Sequence, residues 1–113
     1  GEAPQWIVNV TNDAWFGNTA GPYQHAHQAR IRAVEEGLPI ARAANSGISM
    51  IIDGYGRVVS SLGVGERGVV DGPLPLFTGP PIFARIGNMT VILTVCLLLL
   101  LLVGVHRKNT HRL

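Results

Sequence analysis

Asn12, Asp13, Trp15, Phe16 and His25 are the side chains of this 113-residue chain whose types and spacing suit binding chemistry. An amide and a carboxylate precede two adjacent aromatics in Asn12-Asp13-Ala14-Trp15-Phe16-Gly17, and His25 follows shortly after Gly21-Pro22. The polar pair offers hydrogen bonds, and the aromatics offer a large apolar surface. Residues 6–10 (Trp-Ile-Val-Asn-Val) are short, apolar and β-branched, the pattern of a buried strand. Residues 11–17 then break that strand with turn-forming groups. A strand that empties into such a loop puts its side chains at the rim of a sheet, where α/β folds keep ligands. The competing reading is an ordinary strand-to-helix connection with both aromatics packed inward.

The elements around this loop are readable at coarse grain. Pro22 suits the first turn of a helix running to about Glu36, and Gly37 supplies its stop, with Pro39 beyond. Ala26, Ala29 and Ala33 recur at helical spacing and give a small-residue face that can lie close to a sheet. Residues 39–44 and 48–52 read as strands. Asp53-Gly54-Tyr55-Gly56 reads as a hairpin turn and 57–62 as the returning strand, with one more strand expected at 68–71. Asn45-Ser46-Gly47 reads as a turn in which Gly47 permits an unusual backbone conformation. Residues 73–81 hold four of the seven prolines and read as an extended linker.

Charge and hydropathy divide the chain unevenly. Through Asn88 there are six arginines against seven acids, a net charge of −1. The other positive charges, Arg107, Lys108 and Arg112, follow an apolar run, so the pI near 9.2 reflects the tail rather than a basic face. That distribution argues against a nucleic-acid partner. Residues 86–105 contain no charge, and twenty helical residues at about 1.5 Å each span about 30 Å, the thickness of a bilayer core. The basic flank places residues 106–113 in the cytoplasm and residues 1 to about 85 across the membrane. The expected organisation is a folded α/β part (1–72), a Pro-rich linker (73–85), a membrane helix (86–105) and a basic tail (106–113).

The wording of the chain is more specific than its pattern. Asn12 to Gly17, Gly21-Pro22 and Gln24-His25 closely resemble the apolipoprotein N-acyltransferases, membrane-bound members of the nitrilase (carbon–nitrogen hydrolase) superfamily. The resemblance continues through Ala29-Arg30-Ile31-Arg32-Ala33-Val34-Glu35, Ala43-Ala44-Asn45-Ser46-Gly47-Ile48, Glu66-Arg67-Gly68, Thr78-Gly79-Pro80 and Ala84-Arg85-Ile86-Gly87. Phe83 and Asn88 depart from the tyrosine and aspartate usual there. The resemblance implies the C-terminal part of an α-β-β-α sandwich followed by one transmembrane helix. It also implies acyl transfer from a phospholipid donor to a diacylglyceryl lipoprotein acceptor at the bacterial inner membrane, with no cofactor. Asn12, Asp13, Trp15, Phe16 and His25 become expected substrate-binding residues. Arg32 and Glu35, three apart on the helix, become an expected partly buried structural pair near the site, together with Asn45.

Members of this family use a cysteine nucleophile, a glutamate base and a lysine that stabilises the oxyanion. The one cysteine here, Cys96, lies in the apolar run, away from any base or cation that could activate it, and the one lysine, Lys108, lies in the tail. No catalytic residue is therefore expected in this chain. The chain begins at Gly1 and is short for the fold, so it is expected to be a portion of a longer enzyme, inactive alone, with its triad upstream. Two rivals stand beside that expectation, a membrane-tethered nitrilase-type amidase and a non-catalytic single-pass membrane protein. A metal site is not expected: His25 and His27, two apart on a helix, face different ways and have no third ligand.

Overall fold

The computed structural model describes residues 2–110, with side chains to Arg107; the end of the expected basic tail lies outside the described residues. Four strands form one sheet in the order β1 (Ile7–Asn12), β2 (Ile40–Asn45), β3 (Ser49–Ile52) and β4 (Val58–Leu62). Helix α1 (Gly21–Glu36) crosses between β1 and β2, which run parallel with Ile7 opposite Ile40 and Asn12 opposite Asn45. The β2–β3 and β3–β4 pairs are antiparallel, with a bulge between Ile51 and Ile52. The short helix α2 (Ile82–Ile86) and the long helix α3 (Met89–Thr110) follow.

The α1 boundaries follow from its end residues. Thr19 Oγ1 accepts from the Gly21 N–H at 3.1 Å, Pro22 occupies the first turn, and Gly37 ends the helix in the left-handed conformation at φ 67°. As expected, Ala26, Ala29 and Ala33 are buried, and they pack with Ile40, Met50 and Ile52 into the core. Alanine at these positions lets the helix lie low on the sheet. The register puts Ile40 opposite Ile52 and Arg42 opposite Met50, so these four share the helix-covered face.

Several expectations need correction. The first strand runs to Asn12 and is covered on one face only: Val8 and Val10 are 60% and 76% exposed. Trp6, Val8 and Val10 put apolar groups on the second face as well, yet within the described residues that face stays bare. Residues 68–71 form no strand, since they pair with no neighbour in the sheet. The linker stops short of 85, because Ile82–Ile86 is helical. The membrane-length helix starts at Met89 rather than residue 86, because Gly87 (φ 51°, ψ −135°) breaks the backbone before it. At the 45–47 turn the left-handed residue is Ser46 (φ 59°), not Gly47. The Arg32–Glu35 pair is a surface one: the Arg32 side chain is 59% exposed and also reaches Glu36 at 3.3 Å.

Candidate functional site

Because β1 and β2 are parallel with Asn12 opposite Asn45, both strands end at one edge and the loops that follow meet there. The Asp13 N–H donates to the Asn45 carbonyl at 3.0 Å, and Asn45 Nδ2 donates to Asn12 Oδ1 at 2.9 Å. Asn12 Oδ1 also accepts from the Ala14 N–H at 3.2 Å, which turns the chain into the short 3-10 turn at Ala14–Phe16. Thus Asn12 and Asn45 act together, tying one strand end to the next.

Asp13 sits at the centre of the site and is 1% exposed. One carboxylate oxygen, Oδ1, accepts from His25 Nδ1 at 2.7 Å and from Thr11 Oγ1 at 3.3 Å. The other, Oδ2, accepts from Arg42 Nη2 at 2.9 Å. Arg42, itself buried, donates from Nε to the Ile48 carbonyl at 3.2 Å and from Nη1 to Asn9 Oδ1. A buried ion pair recovers its desolvation cost only when its remaining donors and acceptors are satisfied, and this one has neighbours on every side. Gly47 completes the packing: a Cβ there would lie 2.2 Å from Asp13 Oδ2, so only glycine lets the carboxylate into place.

Asp13 can only accept, so His25 carries its proton on Nδ1, and Nε2 makes no hydrogen bond among the described residues. The imidazole is one-third exposed and stands edge-on to Phe16, with centroids 5.9 Å apart. It lines a cavity of about 420 Å³ together with Asn9, Gln28, Arg32, Glu35 and Arg42. Trp15 is 81% exposed and Phe16 39%, so neither aromatic is a core residue in this chain. Phe16 is seated by Gly21, where a Cβ would meet its ring at 2.6 Å. The structure therefore brings Asn12, Asp13, Phe16, His25 and Asn45 into one network and leaves Trp15 on its rim. Arg32 and Glu35 stand further along α1, reaching the site only through the cavity wall.

Sequence reasoning missed Arg42. The available signal was a lone charge between small apolar residues in Ile40-Ala41-Arg42-Ala43-Ala44, in register with a helix-covered face that demands a carboxylate partner. Cys96 lies on α3, an element apart from this strand edge. Among the described residues no three His, Cys, Asp or Glu side chains gather to hold a metal ion.

Known proteins are similar to this chain over nearly its whole length. The carbon-nitrogen hydrolase family matches residues 4–78. Apolipoprotein N-acyltransferase of Bradyrhizobium diazoefficiens is 54% identical over 98% of the chain, and that of Rhodopseudomonas palustris 51% over 87%. The Rickettsia bellii protein of the same name is 52% identical over 83%. The chain spans only 20%, 18% and 19% of these three relatives, so the match covers a fifth of a much longer protein. Since the family match takes in β1 through β4 and the whole Asp13 network, this chain belongs to the carbon–nitrogen hydrolase family.

Proposed function

We propose that this chain forms part of the catalytic layer and one membrane segment of an apolipoprotein N-acyltransferase. In this reading a cysteine outside these residues attacks a phospholipid ester, holds the acyl chain as a thioester and releases the lysolipid. The α-amino group of a lipoprotein's diacylglyceryl-cysteine then attacks the thioester, forming the amide and freeing the thiol. The glutamate base and the oxyanion-stabilising lysine also come from outside this chain, and the 113 residues alone are inactive. The identity of about half to relatives of that name, running through the site loop, supports the substrate class.

The observation that carries the site assignment is the exposure of Trp15 on a turn whose backbone is pinned by Asn12, Asp13 and Asn45. A rigid, exposed aromatic at a strand end suits the acyl chain or diacylglyceryl group better than it suits water. Both Asp13 oxygens are committed to Arg42, His25 and Thr11, so Asp13 fixes loop geometry and leaves substrate contact to Trp15, Phe16 and His25. The bare sheet face supports the sandwich reading. Trp6, Val8, Ala41, Ala43 and Ile51 line an open apolar cavity of about 440 Å³, which a second sheet outside this chain would cover.

In the full-length enzyme, Trp15→Ala lowers turnover of a lipopeptide acceptor about tenfold, equal to about 1.4 kcal/mol of transition-state binding, with melting temperature unchanged. Unchanged turnover in the stable variant removes the loop from the site. Release of free fatty acid without acceptor acylation would instead favour an amidase-like hydrolase. The helix Met89–Arg107, with mean hydropathy 2.6, is long and apolar enough to cross a membrane. In this reading the catalytic part is periplasmic and the C-terminus cytoplasmic, following the basic flank. A periplasm-dependent reporter fused after Leu113 stays silent; strong signal reverses the orientation.

A further inference from the structure

Between the sheet and α3 the chain is fastened rather than slack. Thr78 Oγ1 donates to the Gly37 carbonyl at 3.1 Å. A Cβ on Gly37 would meet the Gly79 carbonyl at 2.4 Å and Pro81 Cδ at 2.7 Å. Even so docked, the segment leaves its large apolar groups uncovered: Leu76 is 88% exposed and Ile82 75%, with Phe77, Phe83 and Ile86 near 40%. Only Gly87 and Asn88 separate α2 from α3. Three Cα steps of about 3.8 Å hold the end of α2 within about 11 Å of the start of the apolar helix. The polar headgroup layer on each side of the hydrocarbon core is about 5–8 Å deep, so the end of α2 lies within that layer or at its outer edge. No Asp or Glu follows Asp71, and Arg85 is the one charge on α2, which suits an anionic surface.

We propose that α2, with Leu76 and Phe77, is an interfacial membrane seat. It lies in the headgroup layer of an anionic bilayer, and the Thr78–Gly37 clip carries that placement to helix α1. The proposal rests on the reading of α3 as a membrane span. Gly87 supports it independently, because the break there makes α2 a separate segment and not an extension of the span.

The test uses the full-length enzyme with Cys96 and every other native cysteine replaced by serine, carrying one spin-labelled cysteine at Ile82, Ile86, Leu97 or Ser61. It is reconstituted in vesicles of phosphatidylethanolamine and phosphatidylglycerol. Collision with oxygen and with a water-soluble nickel chelate reports depth. Labels at 82 and 86 are expected to be shielded from the chelate yet shallower than 97, with 61 fully accessible. Labels at 82 and 86 as accessible as 61, with 97 deep, overturn the seat and leave the span standing. A label at 97 open to the chelate overturns the span, and the seat with it.

Discussion

At its N-terminal end helix α1 is held by charged side chains, and at its C-terminal end by backbone packed on backbone. The first end carries the His25–Asp13–Arg42 network, in which one buried carboxylate joins the helix to β2. The second end has Gly37 at positive φ, with the Gly79 carbonyl, Pro81 and Gly54 pressed against it. A Cβ on Gly54 would itself meet the Gly37 carbonyl at 2.6 Å. The difference follows from what each end must do. A polar network keeps hydrogen-bonding groups in fixed directions beside an open cavity, whereas glycine contacts only bring segments close. Precision of side-chain placement therefore belongs to the Asp13 end, and attachment of the membrane-directed segment to the Gly37 end.

The sharpest way to break the comparison is Asp13→Ala, which leaves Arg42 buried without its counter-charge. Removing one partner of a buried ion pair costs about 3–5 kcal/mol, so equilibrium unfolding should shift by that amount. Asp13→Asn, which keeps the size and one acceptor, should cost less. If Asp13→Ala changes stability by only tenths, the network is not what holds this end.

At the other end Gly37→Ala adds left-handed strain of about 1–2 kcal/mol and drives a methyl into the Gly79 carbonyl. The expected result is a smaller loss of global stability than for Asp13→Ala, with faster protease cleavage within residues 72–82 as the clip opens. Global unfolding without selective cleavage would show that this end carries the fold as strongly as the first.

These two ends were unequally legible in the sequence. Pro22, Gly37 and the alanine stripe place α1 within a residue, because caps and periodicity are local signals. The grouping of Asn12, Asp13 and His25 was visible as spacing. Its hub was not, since Arg42 joins Asp13 across 29 positions and only strand register brings them together. Gly47 reads in the sequence as a source of backbone freedom, but that freedom is used by Ser46, while Gly47 makes room for a carboxylate no local pattern reveals. The Thr78–Gly37 clip, 41 positions apart, was hidden in what composition marks only as a Pro-rich linker.

Asp53 gives the smallest and most discriminating effect, because it is an ionised group at the glycine-packed end. It sits at the β3–β4 turn next to Gly54. Its Oδ1 accepts from the Tyr55 and Arg57 N–H groups at 2.9 Å, and its Oδ2 from Arg57 Nε at 2.7 Å. Burial pushes the carboxyl up, but the Arg57 and Tyr55 hydrogen bonds and the Arg57 charge together outweigh it and hold the group below its ordinary 3.8. A depressed folded-state value means the stabilisation is full above 3.8 and is lost as pH falls through the lower folded-state value. Asp53→Asn keeps one oxygen for the turn and gives up the bond to Arg57, whose side chain is 73% exposed, so the loss at neutral pH is about 1 kcal/mol or less. Unfolding measured from pH 7 down to 2 should show the two proteins differing at neutral pH and converging in acid. A difference that persists at pH 2 would assign the effect to turn geometry rather than charge. A neutral-pH loss as large as that of Asp13→Ala would mean that the ion pair of the β3–β4 turn, beside Gly37, matters to the fold as much as the Asp13 network does.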